Sequence, residues 1–209
     1  MTRLVVALLF AALLSGCAAA VIGGGVAVGA ARDRRSFGTV LDDSNIELSA
    51  YNAVNQDKEL ALKNNVGIVV HNGVMLLVGE VRTAELRERA ESLAGGLEGA
   101  RRIVNEISVE ETAGFGSATR DRWLTLRAKT ALLDIVDIED FDPSRVNITT
   151  QNSTVYLMGL VTVEEAERVV AITRGVPGVV QVVKVFEYIE SVSYTHLRAH
   201  ETKANLVCR

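Results

Sequence analysis

Apolar positions along this chain follow a pattern that runs through twice. Over residues 43–55, Ile46, Ala50, Ala53 and Val54 recur on one face of a helix. Over residues 121–135, Leu124, Ala128, Ala131 and Leu132 recur at the same spacing. Each stretch is followed by two runs rich in β-branched residues. In the first copy the runs meet at Asn72-Gly73, a strong two-residue hairpin signal; in the second they meet at Asn152-Ser153, a weaker one. A second helix is expected over residues 83–97 and again over 162–174. Gly99 and Gly178 follow, where a left-handed residue stops a helix cheaply. A last strand closes each copy, over residues 103–109 and 179–189.

The copies align block by block. Residues 66–73 and 75–81 match 146–153 and 155–161 at an offset of 80, as from Val66 to Val146; residues 99–104 match 178–183 at 79. Three blocks at near-equal offsets mark an internal repeat. Two helices and three strands per copy predict an α+β fold. Each of the two tandem domains is a helix-strand-strand-helix-strand two-layer sandwich with both helices on one sheet face. On the second strand Met75, Leu77, Gly79 and Val81 share a face, as do Val155, Leu157, Gly159 and Val161. A glycine at one register in both copies points to close backbone approach by a helix, or to a bulge. The opposite faces carry Val74, Leu76 and Val78, and Tyr156, Met158 and Leu160, which are too apolar for water. The two open sheet faces are expected to pack on each other or on a second molecule.

Both ends of the chain read as separate from this pattern. Arg3, an unbroken apolar run over residues 4–14 and Leu14-Ser15-Gly16-Cys17 form a lipoprotein signal. It implies cleavage before Cys17 and acylation of that residue. Position 18 is Ala, not Asp. By resemblance to the sorting rule of enterobacterial lipoproteins, that directs the chain to the periplasmic face of the outer membrane. The competing reading is a transmembrane helix across the uncharged stretch to Ala31. Gly23-Gly24-Gly25 weakens it, since each glycine costs about 1 kcal/mol in a helix. Residues 191–209 do not continue the repeat and resemble translated sequencing-adapter read-through; the alternative is a genuine tail.

Composition then removes most chemistry. The net charge of −4 argues against nucleic acid as a partner, because binding through bulk positive charge is excluded. The two cysteines, Cys17 and Cys208, exclude a disulfide framework. Three histidines leave little for a His-based metal or catalytic cluster, and His71 reads as a turn residue. Ser36, Ser44, Ser117 and Ser144 have no triad partners. Glu85, Glu88 and Glu91, like Glu164, Glu165 and Glu167, sit at helical spacing on solvated faces. Asp134, Asp137, Glu139, Asp140 and Asp142 form an acidic loop without calcium-loop spacing. The expectation is a protein with no enzymatic activity, no cofactor and no metal.

The repeat resembles the BON domain of bacterial envelope proteins. Its carriers are the Val-x-Leu-x-Gly-x-Val strand ending at Val161, the copy ending at Val81, and the Gly-x-x-x-Val turn into the last strand. Asp33-Arg34-Arg35-Ser36-Phe37-Gly38-Thr39, followed by Asp42-Asp43, is similar to the linker of dual-BON outer-membrane lipoproteins. That resemblance implies binding of anionic phospholipid such as phosphatidylglycerol, gathering at the division site and support of envelope integrity. The expected map is a signal peptide (1–16), a flexible Ala/Gly-rich tether (17–41), BON domain 1 (42–110), a linker (111–119), BON domain 2 (120–190) and a non-native tail (191–209). The competing function is a protein–protein adaptor acting on envelope-assembly, cell-wall or division proteins.

Charge on the first helices separates these readings. The first copy's helix carries Asp42, Asp43 and Glu47 and no cation before Lys58. The second copy's helix carries Arg120, Arg122, Arg127 and Lys129. At about 100° per residue, Trp123, Leu126, Thr130 and Leu133 form a second stripe opposite the core stripe, with the four cations along its edges. Trp favours the headgroup boundary, and each nearby cation adds about 1 kcal/mol on an anionic surface. The family resemblance puts the phospholipid surface on the same helix. The alternative is that Trp123 and Leu126 pack against the first copy or the linker.

Overall fold

The computed structural model describes residues 33–62, 64–110 and 115–190. The signal peptide, Cys17, the tether up to residue 32, residues 111–114 of the linker and the tail from residue 191 lie outside the described residues.

Each domain has the expected order. The first runs α1 (Phe37–Gln56), a single turn α2 (Lys58–Ala61), β1 (Asn65–His71), β2 (Val74–Val81), α3 (Ala84–Gly95) and β3 (Arg102–Val109). The second runs α4 (Phe115–Ala131), two 3-10 turns (Leu132–Asp134 and Pro143–Arg145), β4 (Val146–Gln151), β5 (Thr154–Val161), α5 (Val163–Arg174) and β6 (Gln181–Tyr188). In both sheets the middle strand pairs antiparallel with the first and parallel with the third. α3 and α5 supply the crossovers that a parallel pair requires.

Both first helices start earlier than their apolar spacing suggests. The Ser36 hydroxyl accepts the Thr39 amide at 3.0 Å and caps α1 at Phe37, so residues 37–41 are helical where a tether was expected. Likewise α4 takes in residues 115–119, the end of the expected linker.

Asn72-Gly73 and Asn152-Ser153 all have positive φ, from 48° to 71°, as a type I′ hairpin demands. One aspartate stabilises each turn. The Asp43 carboxylate accepts the amides of Asn72 and Gly73 at 2.6 and 2.7 Å. Asp121 accepts those of Asn152 and Ser153, both at 2.9 Å.

The glycines have roles other than those expected. At Gly79 a Cβ would fall 1.8 Å from the Asn65 carbonyl oxygen, and at Gly159 it would fall 2.6 Å from that of Arg145. The close approach is made by the chain entering the neighbouring strand, not by a helix. Gly99 and Gly178 both have φ of 100° but stand beyond the helix ends at Gly95 and Arg174. There they pass under the first helix, where a Cβ would lie 2.8 Å from Ile46 and 2.9 Å from Leu124.

Three apolar layers hold the molecule together. Met75, Leu77 and Val81 pack with Ala50, Val54, Leu86, Ala90 and Ala94 inside the first domain. Val155, Leu157 and Val161 pack with Ala128, Leu132, Ala166 and Val169 inside the second. The third layer lies between the domains, where Val74, Leu76 and Val78 meet Tyr156, Met158 and Val185. The two sheets therefore cover each other, as their outward apolar faces required, while Leu160 is only half-buried. Each hairpin tip meets the far end of the other domain's last strand. Asn72 donates to Glu187 at 2.8 Å, and Asn152 donates to Glu110 at 3.4 Å. Glu80, fully buried beside this layer, accepts from Gln151 of the other domain and from Asn65.

Candidate functional site

The outer face of α4 carries the expected stripe. Leu124, Ala128 and Leu132 turn inward and are buried; Trp123, Leu126 and Leu133 turn outward and are 52%, 63% and 65% exposed. About half of the Trp123 surface is free of the described residues, and residues 111–114 of the linker lie outside them. Thr130 is exposed on the same face and donates its hydroxyl to the Leu126 carbonyl at 2.9 Å. Contiguous apolar exposure of this kind is uncommon on a folded surface.

The four cations flank this row. Arg120, Arg122 and Lys129 are exposed and Arg127 is half-buried. Arg127 lies 4.4 Å from the Trp123 ring centroid, a cation–π contact, and donates weakly to the Pro177 carbonyl at 3.5 Å. Among the described residues no acid pairs with any of these four. Three basic residues of the first domain are committed, Arg35 to Asp33 and Asp43, Arg89 to Asp57 and Arg101 to Glu187, while Lys58, Arg82, Arg87 and Arg102 lie off α1 and have no acid partner among the described residues.

Val136, just past the first 3-10 turn, is a further exposed apolar residue at 89%. Periodicity could not find it, because the helix has ended there. α1 also presents an outward row that the sequence reading missed. Phe37, Leu41, Leu48 and Tyr51 are 49–60% exposed. Starting the helix at Asp43 had cut the first two residues from it; the Ser36 cap was the available signal.

A strap precedes α1. Arg34 grips Glu165 of the second domain with two bonds, at 2.6 and 3.0 Å, and donates to the Leu160 carbonyl at 2.9 Å. Arg35 reaches Asp43 at 2.7 Å, the same carboxylate that holds the first hairpin. Burial raises the Glu165 carboxyl, but bonds from Arg34 and the Thr162 amide and the charges of Arg34 and Arg145 outweigh it and hold it below its usual range. His71 stands immediately before the hairpin turn, as expected, but is buried. It ends β1 and faces Arg35, Asp33, Asp43 and Glu187; burial first and Arg35 second hold it below its ordinary 6.5.

Cys17 lies outside the described residues, so its acylation remains an expectation. Among the described residues no group of three or more His, Cys, Asp or Glu could hold a metal, and no helix is long and apolar enough to cross a membrane.

The BON domain family model matches residues 42–111 and 120–190. The Outer membrane lipoprotein DolP of Haemophilus influenzae is 36% identical over 178 residues, covering 85% of this chain and 91% of that protein. The 21 kDa hemolysin of Actinobacillus pleuropneumoniae is 33% identical over 158 residues, covering 76% and 80%. A solved structure of CdsD, a structural protein of the Type III secretion system of Chlamydia trachomatis, aligns at 10% identity over 71% of this chain and 94% of its own. Its TM-score of 0.30 is too low for anything about this chain to follow.

Proposed function

The chain belongs to the BON-domain family as a tandem-BON outer-membrane lipoprotein of the DolP kind, and on that premise we propose that its second domain binds anionic phospholipid. Anchored through acylated Cys17, it would lay α4 on the periplasmic leaflet and thereby support envelope integrity and gather at the division site. One observation carries this reading: the exposed row Trp123, Leu126, Leu133 runs between cations that no acid of the described residues neutralises. Apolar side chains enter the acyl boundary while the cations stay at the phosphates. Such a row by itself binds reversibly, which is why stable attachment also needs the lipid anchor.

The test is flotation of the acyl-free protein with phosphatidylglycerol vesicles and with phosphatidylcholine vesicles. Trp123 is the only tryptophan, so its emission reports its own burial. Binding and a blue shift on the anionic vesicles alone are expected, and Trp123→Glu should lose both while melting as the parent does. Full flotation of folded Trp123→Glu would overturn the reading and return the surface to protein partners.

A further inference from the structure

At the inner end of the α4 row a cleft of about 420 Å³ opens between the domains. Lys129, Thr130 and Leu133 form one wall; Ser144 lines it from the second 3-10 turn, Asn147 from the start of β4, and Arg35 and His71 from the strap and the end of β1. Both domains and the strap thus contribute. The cleft shares Thr130 and Leu133 with the exposed row and Lys129 with the cations beside it, so a lipid lying along that row would have its polar end at this opening.

The lining is graded. Lys129 is exposed at the mouth and pairs with no acid of the described residues, which suits a phosphodiester. Deeper, Arg35 is charge-balanced by Asp33 and Asp43, and His71 is held toward its neutral form, so the interior offers hydrogen bonds with little net charge. Ser144 and Asn147 each both donate and accept. A vicinal diol is matched by such groups, whereas an ammonium would be desolvated between Lys129 and Arg35.

We propose that this interdomain cleft is a headgroup site, taking the phosphodiester of one phospholipid at Lys129 and its uncharged polyol against Ser144, Asn147 and His71. The proposal rests on the membrane reading of α4 and adds a lipid selectivity that the exposed row alone does not have.

Two measurements test it on the acyl-free chain. In the first, the soluble headgroup glycerophosphoglycerol is titrated while amide and imidazole resonances are followed, with glycerophosphoethanolamine and inorganic phosphate as the other arms. Saturable shifts at Ser144, Asn147 and His71 with glycerophosphoglycerol, stronger than in either other arm, are expected. No shift there, or equal shifts with inorganic phosphate, would overturn the site. In the second, Asn147→Phe fills the cleft without adding a tryptophan. It should weaken binding to phosphatidylglycerol vesicles about three- to tenfold and lower the preference for them over phosphatidic acid vesicles of equal charge. Unchanged affinity and preference, with the Trp123 blue shift intact, would discard the headgroup site and leave the membrane reading standing. Loss of the parent's blue shift would fail that reading instead, and the site with it.

Discussion

α1 and α4 hold equivalent places. Each supports its hairpin tip with one aspartate, Asp43 or Asp121, and each leaves apolar residues facing water. Around the outward row of α1 lie Ser44, Asn45, Asn52 and Asn55, and the helix has no lysine or arginine. Around that of α4 lie four cations with no acidic partner among the described residues. The buried side of the repeat has kept one design because hairpin and core geometry leave little freedom. The exposed side has diverged, since surface charge is nearly neutral to folding. Apolar exposure therefore does not separate the helix proposed to bind lipid from its twin; charge does.

The widest separation is expected from reversing polarity on each row. Trp123→Glu should reduce affinity for phosphatidylglycerol vesicles at least tenfold, whereas Leu48→Glu on α1 should change it less than twofold. Equal losses in a flotation series would mean that both helices meet the bilayer and would break the comparison.

Interdomain packing comes next. Leu76→Ala and Met158→Ala each empty a fully buried position between the sheets and should cost about 2–5 kcal/mol. Either should move a single shared thermal transition, because each sheet needs the other's cover. Two separate transitions, one of them unmoved by Leu76→Ala, would show that the domains fold independently.

The aspartates give a smaller and asymmetric effect. Asp121→Ala removes a carboxylate bonded to two amides and should cost about 1–3 kcal/mol in chemical denaturation. Asp43→Ala should cost more, since Arg35 of the strap loses its partner as well. Equal costs would mean that the strap adds nothing to the first domain.

Acidification should give the mildest change. His71 has a folded pKa below its ordinary 6.5, so the unfolded chain takes up its proton first and stability declines as pH falls below that value. Glu165 and Asp33 are also held below their ordinary 4.5 and 3.8, so the stability they add is present above those values and lost as pH falls further. His71→Gln should flatten the fall in melting temperature between pH 7 and pH 5 and leave the steeper loss below pH 4.5. An unchanged slope in the upper window would remove His71 as its source.

Much of the architecture was legible because the repeat presents its pattern twice. Hairpin chemistry at Asn72-Gly73, alternation along β2 and β5, and the opposed stripes of α4 are local regularities, and each predicted a face correctly. Some errors came from caps and ends. A Ser36 cap moved the start of α1, and an outward row on that helix went unseen with it. Others came from contacts between distant residues. Gly79 reads in sequence like a helix contact but opposes the Asn65 carbonyl, which only strand pairing brings there.

Sequence alone determined the periodicity, the duplicated domain, the apolar faces that must leave water, and the single tryptophan among cations. These follow from side-chain chemistry at fixed spacing along one element. Tertiary structure decided which face covers which. It set the sheets head to tail, so that each hairpin tip meets the other domain's last strand. It also bound Arg34 to Glu165, 131 residues away in sequence, and buried His71 between charges from three segments. No local pattern encodes such pairings, because their free energy appears only once both domains have folded and excluded water from the space between them.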